Sequence, residues 1–389
     1  MALPVRYILR NLIKRWKRNM LGLCGIALTV AVMASLLAMA AGFRAALDLN
    51  GQAGNFIVTQ RGSISELVSW IPREQANSIM VDDRIARDGN RKPLASGEVV
   101  AVSNMARRSD GEPANVGIRG VSERAFAVRN GIQIVEGRLF KPGAYEVIVG
   151  NRIRKRVNNL NLGDTARILG QNWDVVGVFS SGGAAFESEV WGDYDLVEAI
   201  GHPIAGNNSI TVRLANPNDL EAFNRDLQSN PQMQVEMVQE HQYYQHQAGP
   251  VVFVIAALAI FVGAIMGIGA IFGAMNTMYA VVAARTGEIG TLRALGFSRT
   301  SLMVSFVSES VFLALMGGLL GCVLALPMNG VMTGTGNTAS FSEIAFAFRI
   351  TPVVLAAGLV FAATMGFFGG LLPAFRAARL PITVALREL

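Results

Sequence analysis

ARTGEIGTLRALGFSR, residues 284–299, separates two long apolar runs. Gln247 to Ala284 has no charged residue, and Thr300 to Phe348 has only Glu309 and Glu343. The stretch between them carries Arg285, Glu288, Arg293 and Arg299, reads as a short stiff helix, and stops at Gly296. Two more uncharged runs, Asn19 to Phe43 and Ile350 to Phe375, complete the pattern. A membrane-spanning helix needs about 20 apolar residues at about 1.5 Å rise each. Four transmembrane helices are therefore expected, over 19–43, 249–284, 300–329 and 351–375. The second is longer than a bilayer requires and should tilt or project beyond it. The layout is one span, a long polar insertion over 44–248, then three spans, with the charged helix 285–299 between the second and third.

Composition agrees with this division. The chain is 51% hydrophobic and 16% charged, where soluble domains carry about 25% charged residues. Orientation follows from Lys and Arg near the span ends. The segments before the first span, between the second and third, and after the fourth hold twelve basic residues against two acidic ones. Both termini and the 285–299 helix are expected in the cytoplasm, in a multi-pass protein of the inner (plasma) membrane. The 44–248 domain and a short 330–350 loop are then extracytoplasmic. Residues 1–18 read as a basic amphipathic helix in the inner headgroup layer: Val5, Ile8, Leu9, Leu12 and Trp16 share one face. Residues 376–389 form a cytoplasmic tail. The first apolar run is too long for the 7–15-residue core of a cleaved signal peptide, so an uncleaved anchor is expected.

The external segment mixes strand and helix patterns, which indicates an α+β domain. Phe56–Thr59, Glu98–Val102, Val116–Val121, Tyr145–Val149, Thr165–Leu169 and Trp173–Phe179 read as short strands. Asn208–Leu214, a helix over Asn218–Ser229 capped by Asn216 or Asn218, and Gln234–Val238 read as one βαβ unit, which permits parallel pairing. Residues 61–97 are the least regular, with Trp70, Ile71 and Met80 among polar residues, and read as a mobile insertion or a docking surface.

Catalytic chemistry is not indicated. No G-x-x-x-x-G-K-[ST] phosphate loop, H-E-x-x-H, paired CxxC or G-x-S-x-G occurs in the 389 residues. His241 and His246 are five apart, a spacing that turns them away from one helix face, so no metal site is expected. Cys24 and Cys322 both fall in spans and read as small buried hydrophobes. The basic residues cluster at membrane flanks, so nucleic acid is not an expected partner. Within the spans, Gly263 and Gly267, then Gly269 and Gly273, lie four apart; such spacing lets helix backbones approach, within one chain or between protomers. Glu309 lies about two turns into the third span and is expected to reach Arg299 or water, since an ionisable residue there is costly unless it pairs.

The residues Arg285, Glu288, Ile289, Gly290, Leu292, Arg293, Ala294, Leu295 and Gly296, followed by Glu309-Ser310 and Gly317, Gly318 and Gly321, resemble the signature of the MacB/FtsX-like permease family of ABC transporters. The tail resembles it too, through Pro373-Ala374-Phe375-Arg376-Ala377-Ala378-Arg379 and then Pro381, Ala385, Leu386 and Arg387. Gly137-Arg138-Leu139-Phe140, Tyr145 to Gly150, Leu162-Gly163-Asp164 and Asp174 to Phe179 are similar, more loosely, to the family's extracytoplasmic domain. The resemblance implies a permease that binds no cofactor, with ATP and Mg on a separate cytoplasmic ABC ATPase. It implies that 285–299 is a coupling helix docking on that subunit. Ile289, Leu292 and Leu295 would offer an apolar strip, and Arg285, Glu288 and Arg293 charge contacts. A homodimer or heterodimer of permeases, a periplasmic adaptor (membrane fusion protein) and membrane lipid are the further partners implied. The implied work is export by mechanical transmission. Lipoprotein or lipid extraction, or non-transporting control of a cell-wall hydrolase, are the alternatives.

Overall fold

The computed structural model describes residues 16–52, 54–201, 204–336 and 341–380. The amphipathic stretch 1–18 lies, up to residue 15, outside the described residues. So does the tail beyond 380, with Pro381, Ala385, Leu386 and Arg387. In chain order the elements are α1 (Trp16–Asp48), β1 (Asn55–Gln60), β2 (Ile71–Pro72), α2 (Arg73–Met80), β3 (Ala95–Ala106), β4 (Pro113–Val121), α3 (Arg124–Val128), β5 (Gln133–Gly137), β6 (Glu146–Gly150), β7 (Thr165–Ile168), β8 (Gln171–Ser180), β9 (Glu189–Asp193) and α4 (Tyr194–Gly201). There follow β10 (Gly206–Asn207), β11 (Ser209–Arg213), α5 (Leu220–Ser229), β12 (Val235–Gln239), α6 (Glu240–Ala283), α7 (Thr286–Ala294), α8 (Arg299–Ala325), β13 (Met332–Gly336), β14 (Glu343–Ala347) and α9 (Pro352–Ala378).

Among the described residues, four helices are long and apolar enough to cross a membrane: α1, α6, α8 and α9. The large α+β domain lies between the first and second. The second is the longest, at 44 residues, or about 66 Å at the helical rise. It begins at Glu240, not near 249, because the polar residues 240–248 continue the same helix.

Two compact units result. The span unit takes the described parts of Met1–Ala41, Val254–Val331 and Phe348–Leu389. Its helices meet at small residues. A Cβ on Gly318 would lie 2.6 Å from the Ala362 methyl, and one on Gly366 would lie 2.5 Å from that of Ala314. The Ser310 hydroxyl, on α8, donates to the Gly366 carbonyl at 2.7 Å. Gly317 and Gly321 face Ile26, Ala27 and Val30 of α1. The glycine pattern of α8 and α9 thus serves backbone approach within one chain. On α6 the pattern divides. Gly263 faces Met33 and Gly267 faces Phe361, whereas Gly269 and Gly273 have nothing within 4 Å of a built Cβ.

The second unit comprises Gly42–Phe253 and Met332–Ala347. Its ten-stranded sheet runs β12-β1-β11-β3-β4-β9-β6-β8-β5, with β7 also on β8. β4 with β9 and β6 with β8 are parallel pairs; the others are antiparallel. The long β3 serves two cores. Its first residues pair with β11 and its remainder with β4. One core gathers Trp173, Val116, Ile118 and Val190. The other gathers Phe56, Ile71, Ile79, Val212, Phe223 and Met237.

Three expectations are corrected here. β11, α5 and β12 form a crossover, but β11 and β12 do not pair. Each pairs antiparallel with β1, which lies between them, so the unit is a split βαβ whose central strand comes from much earlier in the chain. Residues 61–97 are built into the domain rather than loose upon it. They supply β2, α2 and the start of β3, with Ile71, Ala76, Ile79 and Ile85 buried. Finally, 330–350 is more than a short loop. β13 and β14 form an antiparallel hairpin from Met332 to Ala347 that belongs to the extracytoplasmic unit. Ser188 Oγ accepts from the Ala345 amide at 2.8 Å. Glu343 pairs with Arg156 and, at 3.4 Å, with Arg107. The Phe43 and Phe346 rings meet edge to face at 5.4 Å.

Candidate functional site: the α7 helix and a buried ion cluster

The segment between the second and third spans folds as α7, a nine-residue helix. Its stop has a physical cause. Gly296 takes φ +92°, a region that side-chain-bearing residues avoid. The Gly296 amide donates to the Arg293 carbonyl and the Phe297 amide to the Leu292 carbonyl, both at 3.1 Å. That pair of bonds is a Schellman ending. Ser298 then opens α8, its hydroxyl accepting from the Ser301 amide at 3.2 Å, the standard N-cap contact.

Arg285 stands immediately before α7 and is buried. Its Nη1 donates to Glu309 Oε2 at 2.8 Å, and its Nε lies 3.4 Å from Glu288. Its guanidinium also lies 5.7 Å from the Phe306 ring centroid. Glu309 therefore pairs with Arg285 and not with Arg299. The reason is geometric: Arg299 and Glu309 share α8, ten residues or about 15 Å apart along the axis.

Ile289 is 2% exposed, packed with Met278, Val282, Leu302, Phe306 and Ala377. Leu292 packs partly against the same cluster. Leu295, in contrast, is 72% exposed. The apolar strip expected from Ile289, Leu292 and Leu295 does not exist as one surface. At 100° per residue, Leu295 lies about 120° round the helix from Ile289. The open face is Glu288, Thr291, Ala294 and Leu295. Thr291 escaped sequence reasoning because it is neither charged nor strongly apolar, and Ala294 entered only through the family resemblance; the helical period was the available signal for both. Arg285 is an anchor to the spans, and Arg293 is half-buried.

A second polar constellation lies in the extracytoplasmic unit, at the start of α6. Arg119 and Arg129 are both nearly inaccessible. Arg119 bonds Glu66 at 2.8 Å, Glu98 at 2.7 Å and Glu189 at 2.7 Å. Arg129 bonds Glu98 and, at 3.1 Å, Glu240, the first residue of α6. Ser209 and Thr211 of β11 contribute hydroxyls to Glu66 and Arg129. The Gln52 amide donates to the other Glu240 oxygen at 3.2 Å. Burial by itself would raise the Glu66 carboxyl. The Arg119 charge and hydrogen bonds overcome it and hold the group at about 2. The cluster joins four strands, β3, β4, β9 and β11, and the segments around Gln52, Glu66 and Arg129 to the first turn of α6. None of its members drew attention in the sequence, where each is an ordinary charge in a strand or loop. Among the described residues no group of three or more His, Cys, Asp or Glu is placed to hold a metal ion.

A four-helix membrane unit carrying a large α/β extracytoplasmic domain between its first two helices defines a class of permeases. Residues 20–230 match the model of the MacB-like periplasmic core domain, and residues 251–382 that of the FtsX-like permease C-terminal domain. The chain belongs to this family of ABC transporter permeases. It is 25% identical to the uncharacterized ABC transporter permease YknZ of Bacillus subtilis (strain 168), over 98% of both chains. It is 30% identical to the macrolide export ATP-binding/permease protein MacB of Escherichia coli, over 75% of this chain and 46% of that one. The chain thus spans about half the length of such ATP-binding/permease relatives. The periplasmic region of MacB from Actinobacillus actinomycetemcomitans aligns with 50% of this chain and 93% of its own, at 15% identity and a TM-score of 0.38.

Proposed function

We propose that this chain is the permease of an export machine that transmits force from a separate cytoplasmic ABC ATPase to its extracytoplasmic domain. ATP and Mg are bound by the ATPase and not by this chain. The termini and α7 face the cytoplasm, where positive charge is retained. The observation that carries the reading is the two-faced construction of α7. One face is bolted to the spans by Ile289 and the Arg285–Glu309 pair. The other leaves Glu288, Thr291, Ala294 and Leu295 exposed. A helix fixed on one side and open on the other passes a push onward instead of absorbing it.

The push has a continuous path. α6 is a single helix from Glu240 to Ala283 with Pro250 inside it, and Glu240 is locked by Arg129 in the ion cluster. Such transmission needs two discrete arrangements biased by nucleotide. Two permeases, identical or paralogous, would act on one ATPase pair, and a periplasmic adaptor would receive the cargo. The export activity for which the Escherichia coli relative is named favours efflux over lipid extraction or hydrolase control.

Leu295→Asp tests the docking face. The variant should insert and purify like the parent, because Leu295 is exposed. A P-loop ATPase should co-purify with the parent in mild detergent near one-to-one, and its recovery with the variant should fall about tenfold or more, the loss of one interface anchor. Equal recovery from both would remove α7 as the docking element, and no ATPase with the parent would remove the proposed transmission from a separate ATPase.

A further inference from the structure

A cavity of about 570 Å³ lies within the extracytoplasmic unit, between the β1–β12 edge and the first turns of α6. Its size is that of small-molecule sites, about 300–1,000 Å³. Ile64, Val238 and Pro250 give it apolar walls, and the Tyr243 ring closes one side. Ile64 is 68% exposed, an apolar side chain facing space that no other part of the unit fills.

Thr59, Ser63, Gln242, His246 and Gln247 give the cavity side chains that can both donate and accept. Glu236 is its one carboxylate, and no Lys or Arg lines it. Glu236 accepts a long bond from the Gly62 amide at 3.4 Å and makes no ion pair among the described residues. Pro250 has no N–H to give, so the His246 carbonyl one turn back lacks its helical donor. An apolar chamber whose one carboxylate makes no ion pair among the described residues favours a ligand that is apolar in bulk and carries one positive charge.

We propose that this cavity binds a small soluble amphiphile with a single cationic, amine-derived group held by Glu236. The binding rests on the cavity alone; its meaning as cargo recognition rests on the export reading above. The full chain in phosphatidylcholine nanodiscs would be titrated with rhodamine 6G, an apolar cation, and with fluorescein, an anion, followed by fluorescence anisotropy against empty nanodiscs. Saturable binding of the cation alone is expected. Glu236→Gln should weaken it about tenfold, the loss of one charge-assisted bond. Ile64→Arg, at an exposed position that folding does not depend on, should abolish it. The proposal is overturned if the cation binds no better than to empty nanodiscs, if fluorescein binds equally, or if both variants match the parent. ATPase co-purification is read on the same preparations. Cation binding without an ATPase partner would sink the export reading and leave the site, and the reverse result would sink the site alone.

Discussion

Glu309 shows how one residue can be conspicuous in a sequence while its role is not. A carboxylate inside an apolar helix must find a partner or disrupt the fold. The anomaly was legible; the partner was not, because Arg285 comes from the preceding connection, 24 residues away, and meets Glu309 only once α6, α7 and α8 have packed. Arg285→Met should destabilise the span unit by about 3–5 kcal/mol, since it strands a buried charge. Arg285→Met with Glu309→Leu should recover much of that loss. Thermal unfolding of the three proteins in one detergent decides it, and equal damage from the single and double variants would contradict the pairing. Glu66 gives a prediction of opposite visibility. Its folded carboxyl sits at about 2 against an ordinary 4.5. Its contribution is therefore present above 4.5 and is lost as pH falls towards 2. Glu66→Gln should remove that part of the acid limb, read as a flatter dependence of stability on pH between about 4.5 and 2. An unchanged limb would mean that Arg119 does not hold Glu66 ionised. Nothing in the local sequence of Glu66 marks it, because its hydrogen-bond partners Arg119, Ser209 and Tyr244 lie 53, 143 and 178 residues away.

At the scale of elements, what was legible was local. The turn at Gly296, the cap at Ser298 and the four apolar helices all follow from short-range rules. Strand pairing did not, because β1 enters between β11 and β12 from about 150 residues upstream. β12 also shows how the sheet ends. Asn224 of α5 donates to the Met237 carbonyl at 2.7 Å and accepts from its amide at 2.8 Å. One side chain thus fills the backbone positions that an incoming strand would use, a direct way to blunt an edge. Asn224→Val should open that edge and produce higher oligomers of the full chain by light scattering in detergent. A monodisperse variant identical to the parent would show that the edge is protected by something else. Gly296 is a cleaner case of backbone cost. A Cβ there would meet nothing within 4 Å, so Gly296→Val is opposed only by its positive φ. The expected loss is about 1–2 kcal/mol, visible as a lower unfolding temperature.

For the whole molecule, the decisive feature is how often the chain passes between its two units. Beyond the exits of α1 and α6, it crosses again at Val331 and returns at Phe348. A sequence reader sees a modest loop there, because Gly, Thr and Ser residues mask a hairpin whose partners lie elsewhere. The consequence is that α8 and α9 are tied by chain connectivity to the extracytoplasmic unit, as α1 and α6 are. Under the proposed mechanism, force delivered at α7 would have two covalent routes outward, and the hairpin would have to be held firmly for the second to matter. Glu343 is its principal ionic fastener, meeting Arg156 and Arg107. Gly334 makes this possible, because a Cβ at that position would lie 2.5 Å from the Glu343 carboxylate and 2.7 Å from the Arg156 guanidinium. Glu343→Ala removes the fastener and leaves the Ser188–Ala345 bonds and the Phe43–Phe346 contact in place. Amide exchange across Thr333–Ala347 should accelerate about tenfold or more, the loss of a charged hydrogen-bond acceptor, while exchange in β1, β3 and β11 stays as in the parent. Stimulation of the partner ATPase should fall with it if the hairpin carries part of the stroke. Faster exchange with full stimulation would assign the whole stroke to α1 and α6, and unchanged exchange would show that the aromatic and backbone contacts suffice to hold the hairpin.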